Sequence, residues 1–252
     1  MSIILIFAAA LLPAMLLFIY MWRKDAHPEP ANQLLCAVLL GAVACVPVSF
    51  VESGVQYVLF GKMEMEPTNL IDCAIDAFCV AAIPEEGIKL IALWLFLRRN
   101  AFFDEHYDGI VYAVCVGLGF AGIENIFYLF GNIDEWQTVA FVRALLAVPG
   151  HYAFGVLMGY YYSRYHFGGK HTSDAIKTFA VPVLAHGIYD TIAFSQQLDA
   201  LEGSVSFVVL IVFCIWMHRA AQRRIKEQVA RDKDFNDQIN QMPPNNWTFP
   251  QA

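Results

Sequence analysis

Charge is scarce in this chain. Asp, Glu, Lys and Arg make up 15% of its 252 residues, against about 25% in ordinary soluble domains. A soluble protein of this length must present a polar surface, and it does so through amphipathic periodicity, which is missing here. Basic residues are scarcer still than acidic ones. The net charge of −7 is spread over loops and tail and implies no nucleic-acid partner. Paired cysteine motifs are also lacking. Cys36, Cys45, Cys73, Cys79, Cys115 and Cys214 show no CxxC spacing, so they read as small apolar filler. No basic stretch precedes the first apolar run, which therefore reads as an uncleaved span rather than a signal peptide. No repeat relates the two halves, and no soluble domain is inserted.

What the chain has instead is apolar sequence, 58% of all residues, arranged in blocks of roughly 20, the length a helix needs to cross a bilayer. The expected fold is all-α: a polytopic integral membrane protein with about seven transmembrane helices, near 3–21, 34–59, 74–97, 108–130, 138–162, 178–195 and 205–217. Seven spans sort the basic residues cleanly. Arg23, Lys24, Arg98, Arg99, Arg164, Lys170, Lys177 and the six that follow the seventh span fall on one side, and Lys62 alone falls on the other. The positive-inside rule then puts the N-terminus outside and the C-terminus in the cytoplasm. The organisation is one membrane domain, 1–217, and a cytoplasmic tail, 218–252. The tail continues as a helix through HRAAQRRIKEQVARDKDF, stops at Pro243 and Pro244, and ends disordered in NNWTFPQA.

The few charges inside the spans are the informative ones, because each costs about 2.5–3.5 kcal/mol at the bilayer centre. The third span holds AAIPEEGIKL, with Glu85, Glu86 and Lys89. The fourth holds Glu124 and Asn125, the fifth Arg143 and His151, the sixth His186 and Asp190, and the second Glu52. At 1.5 Å per residue, Glu85 lies about 15 Å and Glu124 about 10 Å below the same outer face, with both histidines near mid-span. Lys89 is i,i+4 from Glu85 and i,i+3 from Glu86, so it is expected to pair with one carboxylate and leave the other free. His186 and Asp190 are also i,i+4, which lets the carboxylate fix the imidazole tautomer. Adjacent Glu124 and Asn125 are expected to point apart. Pro84 precedes Glu85 and Pro149-Gly150 precedes His151, so both sites adjoin a broken helical hydrogen bond. Any one of these residues alone reads as helix–helix glue, and Glu52 and Arg143, with no motif around them, read as structural or rim groups. Five ionisable groups at one depth on four helices read as a site.

PEEGIKL, DGIVYAVCVGLGFAGIENIFY, PGHYAFGVLMGYYYSRY and LAHGIYD, in this order on successive helices, resemble the PrsW family of intramembrane proteases, in the wider clan of CAAX prenyl endopeptidases and bacterial immunity proteins. The resemblance covers residues 77–193, the motif-bearing core. It implies a bacterial or archaeal membrane peptidase, here assigned to the bacterial cytoplasmic (inner) membrane, that cuts a single-pass membrane protein such as an anti-sigma factor. It also implies catalytic roles for Glu85, Glu86, Lys89, Glu124, Asn125, His151, His186 and Asp190. Spans one, two and seven and the tail lie outside these motifs.

Amide hydrolysis needs an activated water, a polarised carbonyl and an acid for the amine. With a divalent metal such as zinc, the ligands are drawn from His151, His186 and one of Glu86 and Glu124, with Glu85 as base and Asp190 orienting His186. Without one, a buried carboxylate activates water directly while His151, His186 and Asn125 stabilise the oxyanion. No HExxH motif decides between them. Three alternatives compete: a proton-coupled transporter, a non-catalytic membrane partner, and a CAAX-type prenyl-protein endopeptidase. The absence of half-repeats disfavours the first. The last is disfavoured by Lys89 and Glu124, where CAAX-type relatives carry arginine and histidine.

Overall fold

A computed structural model describes residues 3–25, 27–61, 67–198 and 200–241. Among these the regular structure is helical throughout. The helices are α1 (Ile3–Trp22), α2 (Ala31–Phe60), α3 (Leu70–Ile75), α4 (Ile83–Leu97), α5 (His106–Gly131), α6 (Trp136–Leu145), α7 (Ala147–Phe167), α8 (Thr172–Phe194) and α9 (Ala200–Gln241). Five helical segments are long and apolar enough to cross a membrane: Ile3–Trp22, Ala31–Phe60, His106–Gly131, Trp136–Phe167 and Gly203–Asp234. The remaining two expected spans fall on Leu70–Leu97 and on α8, the helices that carry Glu85, Glu86, Lys89, His186 and Asp190. Lys62, the proline pair and the NNWTFPQA terminus lie outside the described residues.

Helix α5 is the axis of the bundle. Every residue from Tyr107 to Gly122 is buried, as expected of a helix that is apolar all round. Small residues let its neighbours close on it. A Cβ on Gly159 of α7 would sit 2.2 Å from the Gly109 carbonyl oxygen of α5, and one on Gly119 would sit 2.0 Å from the Val38 carbonyl oxygen of α2. Backbones approach this closely in membrane bundles because packing, not water exclusion, drives association. The outer helices show the opposite pattern. Ile4 is 77% exposed and Val58 81%, an apolar exterior that suits lipid.

Two expected spans differ in detail. The third is not a uniform helix. A π-helical segment, Asp76–Ala82, links α3 to α4, and the Ile83 N–H reaches back to the Phe78 carbonyl. The wide turn lies directly before Pro84, which has no N–H to give. The fifth span is interrupted at Leu146, where φ is −120° and ψ −58°, one turn before Pro149. The seventh span runs on into the tail, as expected, in the single 42-residue helix α9. The far part of α9 docks back on the bundle. Asp232 accepts from the His106 and Tyr107 backbone N–H groups at 2.8 Å each, satisfying donors at the start of α5 that no helical partner can reach. All six cysteines are unpaired.

Candidate active site

The π segment and Pro84 set the first turn of α4, which places Glu85, Glu86 and Lys89 on its inner side, with 4%, 1% and 3% exposure. An ammonium that deep must spend all three protons, and Lys89 does. Its Nζ lies 2.8 Å from Glu85 Oε2, 2.8 Å from Glu86 Oε1 and 3.2 Å from His151 Nδ1. The expectation that one glutamate would be left free is therefore corrected: a single lysine spans both, because i+3 and i+4 flank the same stripe of the helix. The Phe120 ring lies 4.0 Å from the same ammonium, in cation–π contact.

Since Lys89 has only hydrogens to offer, His151 Nδ1 accepts, and the His151 proton is on Nε2, which donates to Glu124 Oε2 at 2.9 Å. Glu124 accepts from Arg143 Nη2 on the same oxygen. Arg143 Nε donates to Asn125 Oδ1 at 2.6 Å, and its guanidinium lies 3.9 Å from the Tyr128 ring. The two adjacent residues expected to point apart are thus gathered by one forked side chain. Asn125 is used on both sides, since its Nδ2 donates to the Ala10 carbonyl at 3.1 Å. It does not line the cavity described below.

His186 completes the set. Its Nδ1 is 3.0 Å from Glu86 Oε1 and its Nε2 is 3.0 Å from Asp190 Oδ2, and Phe154 stacks on its face with ring centroids 4.6 Å apart. With Nδ1 in hydrogen-bond contact with Glu86 and Nε2 at ion-pair distance from Asp190, His186 is placed to carry a proton between two carboxylates.

All eight residues singled out in the sequence join one network over α4, α5, α7 and α8. A cavity of about 470 Å³ opens onto it. Glu85, Glu124, His151, His186 and Asp190 face this space. Glu86 and Lys89 do not line it; they lie behind Glu85. Two residues read as bystanders belong to it as well. Arg143 and Glu52 both line the cavity. A signal for Arg143 existed in the sequence. Glu124 precedes the end of α5 by seven residues and Arg143 follows the start of α6 by seven, so a short hairpin sets them at one depth.

The donors suit a divalent ion. Ligand atoms of Glu85, Glu86 and His151 lie within 4.8 Å of one another, all buried, and carboxylate with imidazole is a zinc-type set. The four carboxylates of the network face only two fixed cations, a deficit that one divalent ion or two protons would offset. These three residues are also the ones that Lys89 contacts, so an ion held there would lie beside its ammonium. Glu124 and His186, the other ligands expected, are taken up by Arg143 and His151, and by Glu86 and Asp190.

The model of a family described as PrsW family intramembrane metalloprotease matches residues 29–217. The match thus runs beyond the four motifs at 77–193 to take in the second and seventh spans. Among relatives, the chain is similar to Protease PrsW of Bacillus subtilis, 36% identical over 84% of this chain and 90% of that protein. It is also similar to Protease PrsW of Oceanobacillus iheyensis, 34% identical over 88% and 94%, and to that of Geobacillus kaustophilus, 34% identical over 87% and 90%. No solved structure matches the chain. A family match over most of the chain and relatives aligned along nearly their whole length agree with the buried network: this chain belongs to the PrsW family of intramembrane metalloproteases and is an intramembrane peptidase.

Proposed function

We propose that Glu85 activates water for attack on a peptide bond of a single-pass membrane protein, of which an anti-sigma factor is one candidate, in the cytoplasmic membrane of a bacterium. The observation that carries this is the position of Glu85 between the cavity and Lys89: it faces open space on one side and a fixed ammonium on the other. Water attacks the carbonyl carbon and its proton passes to Glu85. Arg143, which faces the cavity, meets the developing oxyanion. The C–N bond then breaks, and the amine takes the proton held at His186 between Glu86 and Asp190. Glu86 and Lys89 keep these groups charged and in place; Asn125 and Glu124 hold Arg143 and His151. A divalent ion among Glu85, Glu86 and His151 would supply Lewis-acid polarisation of the carbonyl or of water.

The topology that accompanies this reading is seven spans, N-terminus outside and C-terminus cytoplasmic. It is supported by the one-sided distribution of Lys and Arg, and it brings the cavity toward the outer leaflet, where water is within reach. The test is made in cells. Membrane proteomes are compared for new N-termini between wild type and Glu85→Gln, Glu86→Gln and His186→Ala at equal expression. Products seen with wild type and lost in all three variants support the assignment and name a substrate; products that persist in Glu85→Gln refute Glu85 as base.

A further inference from the structure

Helix α6 is a lightly held part of the bundle wall. None of its residues is buried, although it stands directly over the site. It is separated from α7 by the break at Leu146, beyond which Pro149 offers no N–H to the last turn of α6. Its one polar attachment inward is Arg143, through Glu124 and Asn125. On the far side of α6, facing away from the site, an apolar groove of about 580 Å³ runs between this helix and α9. Phe141, Val142 and Leu146 form one bank, and Phe207, Ile211 and Ile215 the other. Val142 and Leu146 line both the groove and the active-site cavity, so groove and cavity share a wall one side chain thick.

We infer that this groove is the docking track for the membrane-spanning helix of the substrate, and that α6 is the movable wall through which the scissile segment passes into the cavity. The inference rests on the proteolytic reading above. A peptidase whose nucleophile is buried within its own helices must admit chain from the bilayer, and an extended segment cannot cross lipid with its amides unpaired. A substrate helix therefore has to stay helical against a protein surface until it unwinds beside the site. The α6–α9 groove offers such a surface. It is apolar, as a membrane helix requires, and it abuts the cavity. It is also flanked by a helix that an interruption and a single arginine hold in place. Lipid fills any such groove in the absence of substrate, but lipid does not explain a bank whose Val142 and Leu146 also line the active-site cavity.

The test uses the full chain in its native membrane. A photo-crosslinking benzoylphenylalanine is placed at Ile211 or Ile215, with Val43 and Val58 of α2, 65% and 81% exposed, as lipid-facing controls. All are carried in a Glu85→Gln chain so that bound substrate stays uncut. The proposal requires adducts at Ile211 or Ile215, enriched about tenfold or more over the controls, that map to the membrane-spanning segment of a protein newly cut by wild type. Adducts with lipid alone, with a second copy of this chain, or equally at Val43 and Val58 overturn it while cleavage by wild type continues. New N-termini that persist in Glu85→Gln refute Glu85 as base and leave the groove's role to the adducts; a wild-type chain that yields no new N-terminus overturns the proteolytic reading instead, and the groove's role as a substrate track falls with it.

Discussion

Replacing Lys89 with Met keeps the stem and removes the ammonium, leaving Glu85 and Glu86 side by side with at most 4% exposure and without their common partner. Breaking a buried ion pair by removing one member costs about 3–5 kcal/mol, chiefly because the other charge is stranded. For a chain of this size each kcal/mol lowers the melting temperature by roughly 2–4 °C, so Lys89→Met is expected to melt about 6–20 °C below wild type. Adding Glu86→Gln removes one stranded charge and should recover part of the loss. Adding Glu227→Gln, on the docked far part of α9, should recover none. The assay is thermal or denaturant unfolding in one detergent at neutral pH, followed by tryptophan fluorescence. A Lys89→Met chain that melts within 2 °C of wild type would refute the claim that this lysine is the resident cation of the site.

Other outcomes follow from the same geometry. Metal content measured on purified protein should rise in Lys89→Met relative to wild type, because the donors Glu85, Glu86 and His151 are then vacated; equal content would mean that lysine and metal do not compete. Arg143→Ala should lower kcat by about 10²–10³-fold, as loss of an oxyanion donor does, and should also lower the melting temperature, because Glu124 and Asn125 lose their common partner; Arg143→Lys should not restore kcat, since one ammonium cannot fork to Glu124 and Asn125. Gly159→Val should yield little folded protein, because its Cβ would meet the Gly109 carbonyl and Ile110 Cα. At the other end of the bundle, burial raises the carboxyl of Glu29 above 4.5, although it accepts from Tyr112. The folded state then keeps a proton that the unfolded chain releases, so this contribution is full below 4.5 and is lost as pH rises through the folded value. Glu29→Gln should flatten the decline in melting temperature as pH rises above 4.5.

Much of the site was legible because membrane burial makes charge conspicuous. Glu85, Glu86, Lys89, Glu124, His151, His186 and Asp190 stand out in an apolar background, and helical spacing alone joins Lys89 to its glutamates and His186 to Asp190. The two corrections of geometry share a cause: spacing says which side chains reach each other, not how many one cation will hold. Lys89 serves two carboxylates and Arg143 two neighbouring residues, because buried donors must all be used. Arg143 and Glu52 were passed over because no motif surrounds them; Arg143 finds its partners on α5, and Glu52 is placed at the cavity by the packing of α2. The helices themselves were legible, and so was a broken hydrogen bond beside Pro84 and Pro149, but the form each break takes was not. The π segment before Pro84 and the stop at Leu146 are responses to proline that depend on what packs alongside. The helical continuation of the tail was legible, but its docking was not: Asp232, Glu227 and Gln228 meet α5 and α7 in contacts that no periodicity announces.

The central claim is that hydrolysis is done by the buried network around Glu85. The most direct measurement is single-turnover cleavage in reconstituted liposomes of the membrane protein identified by its new N-terminus, comparing wild type, Glu85→Gln and Asp190→Asn. The account predicts no detectable cleavage with Glu85→Gln, and slowed cleavage at unchanged KM with Asp190→Asn, since Asp190 only holds the proton-bearing His186. Cleavage by Glu85→Gln at the wild-type rate would contradict it.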